Sequence, residues 1–367
     1  MHLWTKRALA AAIVVSAAGV LLMARQQPQA PFAGRAATMS KQAEEKGLAP
    51  GPQAHATNGV VPLTLRPGDR VILVGNTLAE RQQHFNHFET LLMTRFPELQ
   101  LVVRNLGWSG DTLILQPRPL NFGDAAYHLA EQRADVIIAF FGLNESFDGP
   151  EGLSRFEADL DVYLRTHLDA RYNGRTPPRL ALVSPIAHEQ LPHLPRVDAA
   201  ARNRELARYT EAMRRAAARR GVTFVDLHTP TLRAMGEGRH LTINGIHVNE
   251  LGDRIVAGLL MDGLGFSAGE MRPGSAAQVR QLEELREQIR LKNEEFFRRW
   301  RPLNAEYVVG RRVEPFGSVS FPPEMRALDQ RVHDLERQVW RRARGLKGIR
   351  YPETAAVSAA QPSWPEE

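Results

Sequence analysis

Val71-Ile-Leu-Val-Gly-Asn-Thr-Leu-Ala-Glu80 decides how the chain is read. Val71 to Val74 is a short apolar run, the signature of a strand buried on both faces. Gly75-Asn76-Thr77 interrupts it. A helical pattern follows from Ala79 to Phe96, with Phe85, Phe88, Leu92 and Phe96 on one side. Strand, tight turn and helix in this order lift a hydroxyl to the carboxyl edge of a sheet, where open α/β folds carry their sites. Thr77 is therefore the first candidate for chemistry. Its spacing to Glu80 also fits a capping box, with Thr77 as the cap of the helix.

The same alternation continues outward. Strand-like runs recur at Leu99–Asn105, Asp135–Gly142, Arg179–Ile186 and Thr223–Leu227, after a first strand at Arg70–Val74. Helical patterns at Ala125–Arg133, Gly152–Asn173 and Asp198–Arg220 separate them, and a last one runs from Glu250 to Leu264. Apolar strands alternating with amphipathic helices predict a five-stranded parallel sheet covered on both faces. Each crossover is expected to be right-handed. This domain is expected over residues 66–270.

The flanks differ in character. Lys6 and Arg7 precede an uncharged apolar run of 17 residues, Ala8 to Ala24. The pattern predicts an export signal over residues 1–25, either cleaved or kept as a membrane anchor, with the rest of the chain outside the cytoplasm, in the periplasm or beyond the cell. Residues 26–65 are rich in Gln, Ala, Pro and Gly and read as a linker. After a turn at Met271–Ser275, residues 276–350 read as a helical extension. Its first helix spans Ala276–Trp300, with Val279, Leu282, Leu285, Ile289, Phe296 and Trp300 on one side. Its second carries Met325, Leu328, Val332, Leu335 and Val339 as an a/d seam. The two helices are expected to pair antiparallel or to dock on the domain. The tail, 351–367, reads as disordered. The chain has no cysteine, which excludes disulfides, thiolate metal sites and thiol catalysis. The net charge of +6 arises wholly from the extension, where charges of both signs interleave. In an exported chain this favours a solvated helical face over nucleic-acid binding.

The carboxyl ends of the strands gather a consistent set of groups. The first delivers Thr77, the second Ser109-Gly110-Asp111, the third Gly142-Leu-Asn-Glu145, and beyond the fifth lies Asn244-Gly-Ile-His247. A hydroxyl that attacks, an imidazole that takes its proton and amide donors that hold an oxyanion are the parts of acyl transfer. His188-Glu189 with His193 does not make a helical metal pair, because the gap is five and Pro192 interrupts it. No metal is expected.

The order and spacing of these blocks resemble the SGNH (GDSL-type) hydrolases. The resemblance covers about residues 66–266 and implies a flavodoxin-like three-layer α/β/α sandwich, no cofactor, and a small-molecule or glycan ester as substrate. The family's Gly-Asp-Ser is here Gly75-Asn76-Thr77. Its oxyanion glycine maps to Gly110, and its Gly-x-Asn-Asp to Gly142-Leu143-Asn144-Glu145, with Asn144 as oxyanion amide. Its Asp-x-x-His is here Asn244-Gly-Ile-His247. The resemblance thus implies Thr77 as nucleophile and His247 as base, with Asn244 accepting from the imidazole through its amide oxygen. Three positions depart from the pattern: Asn76, Thr77 and Asn244. The extra methyl of Thr restricts χ1, and Asn244 cannot stabilise an imidazolium by charge. Asp111, Glu145, Asp226 and Glu250 are candidate replacement carboxylates. A degenerate domain that binds a glycan or a protein through the same cleft is the alternative.

Overall fold

A computed structural model of the chain describes residues 61–119, 122–193, 197–266, 271–302 and 321–353. The expected export signal, nearly all of the linker and the tail beyond 353 lie outside them. The sheet strands are β1 (Arg70–Gly75), β2 (Val102–Asn105), β3 (Val136–Phe140), β4 (Arg179–Val183) and β5 (Thr223–Val225). All neighbours are parallel, in the order β2-β1-β3-β4-β5. That is the flavodoxin-like order, in which ligands bind outside the carboxyl ends at the β1/β3 switch point.

Period two along the strands divides the core. Val71 and Leu73 join one apolar cluster, with helices α1 (Thr77–Phe85), α2 (His87–Arg95) and α7 (Glu250–Gly263). Ile72 and Val74 join the other, with α3 (Ala125–Glu131), α4 (Leu153–Asp169) and α5 (Ala199–Arg220). A short helix after β5, α6 (His228–Gly236), was not legible as a separate element.

The helix expected over Ala79–Phe96 is two helices. Asn86 breaks it by adopting the left-handed conformation, φ 63°, and its side chain donates to the Gln83 carbonyl at 2.7 Å. Asparagine tolerates that region better than most residues. Nor does Thr77 cap α1. Asn76 does, its Oδ1 accepting from the Leu78 amide at 3.0 Å, and Thr77 is the first helical residue.

The expected turn at Met271–Ser275 contains a two-residue strand, β6 (Arg272–Pro273), paired parallel with β7 (Ile349–Arg350). Between them lie α8 (Ala276–Trp300) and α9 (Phe321–Arg344). The helices run antiparallel, as the pairs Glu284–Arg342, Glu295–Arg331 and Arg299–Asp329 show. They also dock. Leu282, Leu285 and Ile289 belong to the core cluster on one face of the sheet, Phe296 and Trp300 to the cluster on the other. So α8 crosses from face to face around β2, the sheet's edge strand. Edge carbonyls invite unwanted strand pairing. Here Trp340 Nε1 donates to the Leu101 carbonyl at 2.9 Å and Lys292 Nζ to that of Val103 at 3.3 Å. The expected seam of α9 holds a charge: Glu336, not Leu335, is fully buried, gripped by both terminal nitrogens of Arg104 on β2 at 2.8 and 3.2 Å.

Candidate active site

Gly75 ends β1 at φ +121°, and a Cβ there would stand 2.1 Å from the Phe140 carbonyl oxygen. Only glycine allows β1 and β3 to approach so closely at the switch point. Asn76 and Thr77 emerge directly above. Thr77 and His247 line one cleft, with Asn76, Arg81, Phe140, Leu143, Ser184 and Ile246 among its other walls. The cleft encloses about 350 Å³ measured out to solvent. Gly110 and Asn144 stand outside its immediate lining.

The histidine reaches this place on a loop held by a buried carboxylate. Glu189 accepts from the amides of Leu241 and Thr242 at 3.1 and 2.7 Å, the Thr242 hydroxyl at 2.6 Å, and pairs with His240 at 3.0 Å. Its own amide donates to the Gly245 carbonyl at 2.8 Å. Thus Glu189 organises residues 240–245. Arg81, one turn along α1 from Thr77, ties the same loop from the other side by donating to the Val248 carbonyl at 3.1 Å. Burial lowers the His247 pKa below its ordinary value, and the Arg81 guanidinium lowers it further.

Asn244 does contact the imidazole, but not as expected. Its Oδ1 accepts from the backbone amides of Ile246 and His247 at 3.4 and 3.0 Å. Its Nδ2 therefore faces His247 Nδ1, at 2.9 Å. Turning the amide over would set NH₂ against a backbone N–H, so the orientation is fixed by hydrogen bonding. An amide nitrogen can only donate. Nδ1 must be unprotonated in the neutral ring, and the proton sits on Nε2. An aspartate has two acceptor oxygens and serves both the backbone and Nδ1–H. Asparagine serves only the backbone and selects the opposite tautomer. None of the four candidate carboxylates hydrogen-bonds His247 among the described residues. Asp111 pairs with Arg118 at 2.6 Å, Asp226 with Arg214 at 2.7 Å, and Glu250 with Arg286 at 3.3 Å. Glu145 accepts the Leu113 and Gly142 amides at 3.0 and 2.9 Å.

The residues expected to hold an oxyanion, Gly110 and Asn144, belong to one folded unit. Gly110, φ +85°, is exposed in a turn closed by the Asp111 amide to the Trp108 carbonyl at 3.1 Å. The Trp108 amide donates to the Gly75 carbonyl at 2.9 Å. Asn144 Nδ2 donates to the Asp111 carbonyl at 2.9 Å, which joins the β3 loop to this turn. An amide NH₂ has a second donor, which that bond does not use. The other nearby hydroxyls are engaged: Ser109 donates to Glu80, and Ser146 is buried, donating to the Leu143 carbonyl and accepting from Arg202.

The GDSL-like Lipase/Acylhydrolase family matches residues 72–255, half of the chain. The chain belongs to the GDSL-like lipase and acylhydrolase family. Among solved structures, it is similar to a gut microbial diltiazem-metabolizing enzyme (13% identity, TM-score 0.53, covering 77% of this chain and 97% of the other). It is also similar to an acetylxylan esterase of Geobacillus stearothermophilus, solved as a catalytic mutant (19% identity, TM-score 0.42, 55% and 96%). No curated protein matches the sequence.

As a GDSL-type domain it keeps the expected frame, with the segments Gly75–Thr77, Ser109–Asp111, Gly142–Glu145 and Asn244–His247 beyond the carboxyl ends of the strands. Sequence reading missed the roles of Arg81 and Glu189. Arg81 shares the cleft-facing turns of α1 with Thr77, a spacing of four that marks one helix face. Glu189 gave no such signal. Its partners lie more than 50 residues away.

Proposed function

We propose that this GDSL-type domain is an exported hydrolase of small acyl esters, and the observation that carries the reading is that Thr77 and His247 line the same cleft. Thr77 Oγ1 attacks the ester carbonyl while His247 Nε2 takes its proton. The Gly110 amide and the second Asn144 N–H hold the oxyanion. His247 returns the proton to the leaving alcohol, and water then releases the acyl group from Thr77 by the same route. Nε2 can accept only when the ring carries its proton on Nδ1, so the reaction draws on the minor tautomer and is slow. The cleft suits an acetyl or similarly short acyl group, and export suits an ester on an extracellular glycan. No step needs a cofactor.

The test is turnover of p-nitrophenyl acetate and acetylated xylo-oligosaccharides by the purified protein. Activity above background that disappears in both Thr77→Ala and His247→Ala supports this function. Activity equal in wild type and His247→Ala sinks it. The Asn244–His247 pairing favours a second reading, a domain that binds an ester or glycan without cleaving it. Saturable binding of the oligosaccharide without turnover is its signature. Export rests on the N-terminal pattern alone, and N-terminal sequencing of the protein recovered from cell-envelope and culture fractions tests it.

A further inference from the structure

The last turn of α8 reaches the turn that carries Gly110. Trp300 is buried with its ring 5.8 Å from Trp108 and 6.3 Å from Phe122. Arg301, which follows it, places its guanidinium 3.7 Å from the centre of the Trp108 ring and pairs with one carboxylate oxygen of Glu80. The other oxygen of Glu80 accepts the Ser109 amide at 2.7 Å and the Ser109 hydroxyl. Ser109 is the residue before Gly110. On the far side of the turn, Asp111 is buried and pairs with Arg118, whose guanidinium lies 4.4 Å from the same Trp108 ring. Two carboxylates and two guanidiniums therefore surround one tryptophan.

The arrangement has a direction. Glu80 is on α1, one turn from Thr77, and the turn 108–111 hangs on Glu80 through the Ser109 amide. A carboxylate accepting two bonds from one serine holds it best when its charge is balanced in place. Arg301 supplies that charge, and by covering Trp108 it also fixes the other end of the turn. Without it, Glu80 faces the nearby Asp111 with one cation fewer, and burial already pushes the Asp111 carboxyl up. A guanidinium over an indole contributes where both are withdrawn from water, and Trp108 and Arg301 are both half-buried.

We propose that Arg301 is a positioning residue of the acyl-transfer site: through Glu80 and Trp108 it holds the turn 108–111, and with it the Gly110 amide, in place for the oxyanion. The C-terminal helical pair is then part of the catalytic apparatus and not an appendage. The catalytic consequence rests on the hydrolase reading given above; the positioning itself does not.

The test uses the full chain and the variants Arg301→Met, Arg301→Lys and Glu80→Gln, each read by amide hydrogen exchange and by kinetics on p-nitrophenyl acetate. In Arg301→Met the amides of Ser109 and Asp111, which donate to Glu80 and to the Trp108 carbonyl, are expected to exchange at least tenfold faster, while those of Val71–Val74 in β1 stay within twofold. kcat is expected to fall at least tenfold with KM within twofold. Arg301→Lys keeps the charge and restores part of both effects; Glu80→Gln reproduces the loss. Unchanged exchange at Ser109 and Asp111 in Arg301→Met overturns the proposal, as does a uniform increase that includes β1. If the exchange changes as expected but the wild-type protein turns over no ester, positioning stands and the hydrolase reading falls.

Discussion

Restoring a carboxylate at position 244 is expected to accelerate ester turnover. Asn244→Asp keeps the length of the side chain and the acceptor for the Ile246 and His247 amides. It replaces the donor facing Nδ1 with a second acceptor, so the neutral ring moves its proton to Nδ1 and frees Nε2 as a base. It also sets a full charge where Nδ2 now stands, 2.9 Å from Nδ1. At that separation, opposite unit charges attract by about 1.4 kcal/mol in water and about 5.7 kcal/mol at an effective dielectric of about 20. Residue 244 is exposed and His247 half-buried, so the gain falls between these limits, about 2–4 kcal/mol, or roughly 30- to 1,000-fold in kcat. The comparable Asp-to-Asn change in a buried serine-protease triad costs about 10⁴, and a more solvated pair has less to recover. The pH profile gives an independent reading. In the wild type, burial and Arg81 hold the His247 pKa below 6.5, so a base limb in kcat/KM lies below that value. The new carboxylate favours the imidazolium, and the limb moves to higher pH. The assay is p-nitrophenyl acetate hydrolysis across pH by wild type, Asn244→Asp and Asn244→Asp with His247→Ala, together with ¹⁵N NMR of the imidazole. A folded Asn244→Asp no faster than wild type would refute the reasoning. So would a wild-type ring with its proton already on Nδ1.

Other perturbations test the frame around the site. Gly75→Ala puts a methyl against the Phe140 carbonyl at a strained φ and is expected to cost about 3 kcal/mol or more in urea unfolding. Lys292 is fully buried, donating to Glu89 and the Val103 carbonyl; Lys292→Met strands the Glu89 charge and should cost about 3–5 kcal/mol, and Glu89→Gln in the same chain should return part of it. Asp253 is fully buried, and burial pushes its carboxyl up from 3.8 to about 7. The folded chain thus keeps a proton that the unfolded chain has lost, so this group makes stability fall as pH rises from about 4 to 7. Asp253→Asn removes that slope, at most about 1.4 kcal/mol per pH unit, and its advantage over wild type in denaturation should grow across that window and level off above it.

The sheet was legible because each strand is a run of β-branched and aliphatic residues with its own turn chemistry, and a buried parallel strand leaves little else for such a run to be. Ends were less legible. Leu99–Asn105 shortens to Val102–Asn105 because Pro97 starts a helical turn through Leu99. The candidate site was legible as a set of positions, since backbone order alone delivers Thr77, Gly110, Asn144 and His247 to one edge. Hydrogen-bond direction was not. Asn244 could be placed three residues from His247, but which of its amide atoms faces the ring depends on the competing claims of two backbone amides, and those follow from loop geometry. Thr77 and Glu80 show the same limit. Their spacing fits a capping box, yet the cap fell to Asn76, and Glu80 turned outward to Ser109 and Arg301.

The extension shows why composition misleads about charge. Its basic excess reads as a solvated surface, and six of its described ion pairs are of that kind, three or four residues apart on one helix. The others are not. Glu336 on α9, Lys292 on α8 and Arg301 at its C-cap meet charged partners more than 200 residues away, Arg104, Glu89 and Glu80, and the neutral Asn293 beside Lys292 meets Asn86. Burying such groups is costly unless they are paired, and a helix that merely hid an apolar stripe would have no use for them. Here the strand they cover is an edge, and its carbonyls need donors that apolar side chains cannot supply. Placing Lys292 and Trp340 against Val103 and Leu101 closes that edge. The same helix then ends at Arg301, beside the turn that continues from β2. Covering the edge and bracing the Gly110 turn are consequently a single packing problem, because both depend on where α8 lies along β2. A variant that loosens Lys292 from Glu89 should therefore also raise exchange at Ser109, some distance along the helix, in proportion to the docking energy it removes.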